Sequence, residues 1–147
     1  MIYLQTYNKY TEFELEQILN TKIIINGNHI RTIINKSYIN FNIIKLFTKY
    51  GYIFTNDDYI FLITNNAYLL KYIPDDNKTY TLCKIAVQQD GLVLEYIPLD
   101  KHTFEIYKLA VQDTALALQF IPKNKRTLEI KKIASCHSWN YEIETAE

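Results

Sequence analysis

Tyr72-Ile73-Pro74 returns as Tyr96-Ile97-Pro98 and again as Phe120-Ile121-Pro122, a spacing of 24 residues held through the second half of the chain. A fixed period of that length marks a repeat architecture, in which each unit is one small supersecondary element that buries its apolar face only against its neighbours. In this register residues 73–96, 97–120 and 121–144 align as three copies, and residues 49–72 align as a fourth, more degenerate one.

Position by position the copies agree in kind. Thr55, Thr79, Thr103 and Thr127 share one column, each just ahead of a run with apolar residues at helical spacing. A threonine hydroxyl there can accept from an N–H that a helix start leaves without a partner, so the column predicts the N-cap of a first helix. Eleven positions further on stand Asn66, Asp90, Thr114 and Ser138, all capping types, which predict the start of a second helix. The first helix carries Leu82, Ile85 and Ala86, then Ile106, Leu109 and Ala110, then Ile130, Ile133 and Ala134, the i, i+3, i+4 stripe that one helix face buries. Ala86, Ala110 and Ala134 form a column of small residues where neighbouring backbones can approach closely, and Leu62 holds that column in the first copy, which predicts a looser contact there. The second helix is expected over 67–73, 91–97 and 115–121. Pro74, Pro98 and Pro122 follow it and end it, because proline disfavours the helical region for the residue before it.

Helices of about three and about two turns are marginal alone in water. Stability must therefore come from stacking, with an advance of roughly 10 Å per copy. In the last copy Asn140, Glu142 and Glu144 replace the apolar columns of Leu92, Leu94 and Tyr96, as a terminal repeat with a wet face requires. Trp139, Tyr141 and Ile143 alternate with those polar residues, so a short strand competes with helix over 139–144.

Residues 1–48 do not repeat cleanly and are expected to cap the array. Thr11-Glu12-Phe13-Glu14 reads as a capping box leading into Leu15, Ile18 and Leu19. Ser37 followed by Phe41, Ile43, Ile44, Leu46 and Phe47 is compatible with a degenerate first helix. Residues 22–34 suit either a hairpin turning at Asn26-Gly27 or a helix capped by Asn28, and residues 1–6 could supply an edge strand.

At 147 residues and 48% apolar content the chain suffices for one continuous core, and its zero formal net charge argues against a dedicated nucleic-acid binder. There is no charged-then-apolar leader at Met1 and no run of 18 apolar residues, so an intracellular protein without a membrane span is expected. Cys83 and Cys136 lie about two copies apart, on the order of 20 Å in such a stack, and should be free thiols.

Site chemistry is sparse. Lys84, Lys108 and Lys132 form a column that could track a phosphate backbone, yet Glu105 and Glu129 precede the last two by three residues, the spacing of a solvated helical ion pair. His29, His102 and His137 offer no pair at metal spacing, and adjacent Cys136 and His137 would not face each other on a helix. Asp57, Asp58, Asp75 and Asp76 fall in loops and first turns, where carboxylates favour the helix dipole. No catalytic set, metal site or cofactor is expected. Tyr72, Tyr96 and Phe120 are core by register. Tyr59, Tyr80 and Tyr107 fall on a flank of the first helix, where they either cover the core or stand exposed as anchors of a protein contact.

Ala86-Val87-Gln88-Gln89-Asp90-Gly91-Leu92-Val93-Leu94-Glu95-Tyr96 resembles the signature of a 24-residue helical repeat of unknown function, roughly Ala-Val-x-Gln-Asn-Gly-x-Ala-Leu-x-Tyr, found in giant DNA viruses of amoebae and in amoeba-infecting bacteria. Ala110-Val111-Gln112 through Phe120 matches again, with Thr114-Ala115 in place of Asn-Gly, and the resemblance covers residues 55–134. Pro74, Pro98 and Pro122 depart from it, standing where that repeat has small or polar residues. The resemblance implies tandem helical repeats, a viral source and contacts with virus or host proteins, and it carries no catalytic residues.

The expected fold is thus mostly α, a short α-solenoid of 24-residue helical hairpins over 49–147 behind a cap region, 1–48, with room for a small β-hairpin. The expected function is a non-enzymatic protein–protein interaction module, acting on a host or viral protein in host cytoplasm or virion. The alternatives are a structural component that self-assembles into a homo-oligomer through its ends, and nucleic-acid binding along the lysine column.

Overall fold

Each threonine of the repeated column accepts a helix-opening N–H in the computed structural model, which describes residues 12–20 and 43–137. The donors are Asp58 at 3.3 Å from Thr55 Oγ1, Leu82 at 3.2 Å from Thr79, Ile106 at 3.2 Å from Thr103 and Ile130 at 3.3 Å from Thr127. The described residues are mostly helical and contain no strand. Their α-helices are α1 (Glu12–Asn20), α2 (Ile43–Lys49), α3 (Asn56–Asn65), α4 (Tyr80–Gln89), α5 (Phe104–Asp113) and α6 (Leu128–His137). The last three begin 24 residues apart.

The second element of the first three copies is a six-residue 3₁₀ helix, not an α-helix: η1 (Ala67–Tyr72), η3 (Gly91–Tyr96) and η5 (Ala115–Phe120). Asn66, Asp90 and Thr114 cap these segments, their side chains accepting from Tyr68, Leu92 and Leu116 N–H at 3.0, 2.9 and 3.3 Å. Only seven residues between a cap and a proline explain the tighter winding. An α-helix leaves four donors and four acceptors unpaired at its ends, whereas i→i+3 closure leaves one fewer at each end. Leu69, Val93 and Ala117 N–H already bond the cap residue's carbonyl.

Proline does more than end these segments. The carbonyls of Pro74, Pro98 and Pro122 accept from Asn77, Lys101 and Lys125 N–H at 2.9, 2.9 and 2.8 Å, opening one-turn 3₁₀ segments η2 (Asp75–Asn77), η4 (Leu99–Lys101) and η6 (Lys123–Lys125). Residues 73–96 and 97–120 therefore each hold three helical pieces where a two-helix hairpin was expected.

The chain forms two compact units, residues 1–62 and 63–147, the division falling within α3. In the second unit α4 packs on α5 and α5 on α6, while η1 packs on η3 and η3 on η5, so that α-helices form one row and 3₁₀ segments the other. Leu82, Ala86, Ile106, Ala110, Ile130 and Ala134 are all fully buried. Burying a leucine or isoleucine contributes about 1.5 to 3 kcal/mol, more than the propensity of so short a helix can. Leu62, which holds the alanine column in the first copy, is fully buried.

In the first unit α1 packs against α2, burying Leu15, Leu19, Ile44, Leu46 and Phe47. Helix α2 lies where a degenerate first helix was expected. It ends in a Schellman motif, with Gly51 at φ 83°, its N–H on Thr48 O at 2.9 Å and Tyr52 N–H on Phe47 O at 3.0 Å. Helix α1 follows the predicted capping box, whose Thr11 lies outside the described residues. So do Ser37, Ser138, the 22–34 and 1–6 segments, and the 139–144 segment.

Candidate interaction surface

Two of the three tyrosines expected at an exposed flank are core. Tyr59 is 6% exposed and Tyr107 5%. Residues one turn before each helix cover them. Phe54 stacks on Tyr59 with ring centroids 5.4 Å apart, within a cluster that includes Tyr52 and Phe47. His102 meets the Tyr107 ring edge-on at 5.4 Å. Burial pushes both phenols above the usual tyrosine range, helped at Tyr59 by the adjacent Asp58 carboxylate.

The covering residues form a column that the sequence pattern did not expose, Phe54, Lys78, His102 and Arg126. Its three polar members each hold a carbonyl at the end of a 3₁₀ segment. Lys78 Nζ donates to Tyr96 O at 2.8 Å and pairs with Asp75 at 2.8 Å, and Arg126 Nε donates to Ile121 O at 2.8 Å. His102 Nε2 lies 2.9 Å from Ile97 O, which can only accept, so Nε2 carries a proton, and Nδ1 lies 3.2 Å from the Tyr107 hydroxyl.

Tyr80 is the expected contact residue that does stand exposed, at 37%. Its column continues with Phe104 at 45% and Leu128 at 69%, the first residues of α5 and α6. One apolar side chain thus stands at the start of each of three successively packed helices. Tyr80, Phe104 and Leu128 differ in type, and only their shared register marks them as one ridge.

The lysine column lies four residues along the same helices, and its pairs cross between copies. Lys84 Nζ donates to Glu105 at 2.6 Å and Lys108 lies 4.0 Å from Glu129. The expected three-residue pairing within a helix gives way to one 21 residues apart, because a neighbouring helix brings the next copy's carboxylate to the lysine head. Glu105 also accepts from the Tyr80 hydroxyl. Lys84 first and Tyr80 second hold the Glu105 carboxyl below its usual range. Lys132 is exposed on α6.

No family model, curated protein or solved structure matches this chain.

The side chains themselves give the remaining bounds. Among the described residues no cluster of His, Cys, Asp or Glu could hold a metal ion, and no helix is long and apolar enough to cross a membrane. Cys83 and Cys136 are free thiols, one buried and one exposed. Burial, ahead of the opposing effect of Lys78, pushes the Cys83 thiol up to about 11, which leaves it protonated and unreactive at neutral pH.

Proposed function

We propose that this chain is a non-enzymatic protein-interaction module, a short α-solenoid of 24-residue helical units that presents the Tyr80, Phe104 and Leu128 ridge to a protein partner. One observation carries the proposal: an exposed apolar side chain recurs at the first position of three consecutive helices. Single exposed apolar residues need no explanation, but a row of them on a rigid support is what interface anchors require. The resemblance of residues 86–96 to the repeat of amoebal viruses and amoeba-infecting bacteria supports a partner of viral or host origin, in host cytoplasm or virion. Nucleic-acid binding has less support, because Lys84 and Lys108 already face Glu105 and Glu129.

A nuclease-treated pull-down from lysate of the host cell, with a Phe104→Ser/Leu128→Ser variant in parallel, tests the proposal. One stoichiometric protein retained by the natural chain and lost with the variant is expected. A partner held equally by both, or recovery of nothing but the chain itself, would count against the ridge.

A further inference from the structure

The connections η2, η4 and η6 follow one another along one edge of the second unit, because each joins a 3₁₀ segment to an α-helix and both rows run in chain order. Their charges change sign along that edge. In η2 Lys78 neutralises Asp75 and leaves Asp76, in η4 Asp100 and Lys101 neutralise each other by a direct ion pair, and Lys123 and Lys125 stand in η6. Taken with the residue that follows each segment, Lys78, His102 or Arg126, the formal charge steps from −1 through 0 to +3. The neutral middle segment carries Leu99, 73% exposed, more than any other large apolar side chain described in this unit.

A row that runs acidic, apolar, basic is complementary to the same row turned end for end. We infer that this edge is a docking surface for a second copy of the chain, paired antiparallel about a two-fold axis at Leu99, with Asp76 of each copy facing Lys123 and Lys125 of the other. Two-fold pairing uses every favourable contact twice, and parallel pairing would set like charges against each other. Equivalent segments lie about 10 Å apart, close to the Debye length at physiological salt. Each segment therefore responds mainly to the one directly opposite, which fixes the register. Three one-turn segments make a small interface of the transient class, so association should depend on concentration and weaken as salt rises. This edge uses side chains other than Tyr80, Phe104 and Leu128, so either proposal can fail without the other.

Sedimentation equilibrium of the full chain from micromolar to millimolar concentration, at low and high salt, tests the inference together with Asp76→Lys and Lys123→Glu. Both positions are exposed, and circular dichroism checks that each variant keeps its fold. The natural chain is expected to dimerise at low salt, and each variant alone to associate at least about tenfold more weakly. An equal mixture of the two variants should recover dimers, because every altered contact then meets an opposite charge. A natural chain that stays monomeric throughout would overturn the inference. So would association undiminished by the single reversals or by Leu99→Ser, a mixture that does not recover, or a mixture that grows beyond two copies.

Discussion

The carbonyl oxygen of Ala110 approaches Gly91 so closely that a Cβ on residue 91 would lie 2.3 Å from it, and 3.0 Å from the carbonyl carbon. Asp113, on the same helix as Ala110, accepts the Gly91 N–H at 2.7 Å. Helix α5 is thereby seated directly on the backbone at the start of η3. Gly91→Ala must push two backbones apart and should cost about 1 to 3 kcal/mol, read as a lower urea midpoint at unchanged m-value. An unchanged midpoint would mean the two segments are not packed this tightly.

Thr103→Ala removes the acceptor of the Ile106 N–H and should lower stability by about 0.5 to 2 kcal/mol, while Thr103→Ser keeps most of it. The same pair of substitutions at Thr79 and Thr127 should behave alike, since each makes the same bond in its own copy. Thermal melts of the three alanine variants that differ sharply among themselves would show that the copies are not equivalent.

Alkaline pH should weaken the fold through Cys83. Its folded pKa of about 11 lies above the ordinary thiol value, so the folded state holds the proton more tightly than the unfolded one. The associated stability is fully present below the ordinary value near 9 and is lost as pH rises towards 11. The expected loss is about 2 to 3 kcal/mol across that window, and Cys83→Ala should remove this part of the pH dependence. With a thiol reagent at neutral pH, Cys136 should react at once and Cys83 only after denaturant is added.

Tyr107→Ala should cost about 2 to 5 kcal/mol, because it empties a buried site and strips His102 Nδ1 of its partner. Phe104→Ser and Leu128→Ser, at exposed helix starts, should change stability by no more than about 0.5 kcal/mol. Chemical denaturation of the three variants separates core from ridge. A destabilised Leu128→Ser would remove that residue from any docking surface.

What the sequence disclosed follows from how local each interaction is. The threonine and Asn/Asp/Thr caps bond an N–H two or three residues away, so residue type alone predicts them, and the recurrence supplied four independent trials. The burial of Tyr59 and Tyr107 was not legible, because it depends on Phe54 and His102, whose column also holds Lys78 and Arg126 and so has no common chemistry. The lysine pairs were misassigned for a related reason. Glu105 lies equally well placed in sequence for Lys108 on its own helix and for Lys84 on the neighbour, and only the packing of α4 on α5 selects Lys84. Phe104 and Leu128 could have been found from the position of Tyr80, had register been weighed above residue type.

In the 3₁₀ segments residues three apart eclipse one another, and exposure follows that count: Ala67, Leu70, Gly91 and Leu94 face inward, while Tyr68, Lys71, Glu95, Leu116 and Gln119 face water. One added or missing residue in such a segment would turn everything after it by about 120° and exchange the wet row for a dry one. The ten-residue α-helix beside it keeps a different count, of about 3.6 residues per turn. The unit's length is thus set by two incommensurate periods in series. Equivalent positions can differ widely in composition, as Lys78, His102 and Arg126 do, but an added or deleted residue should be tolerated only in the exposed connections.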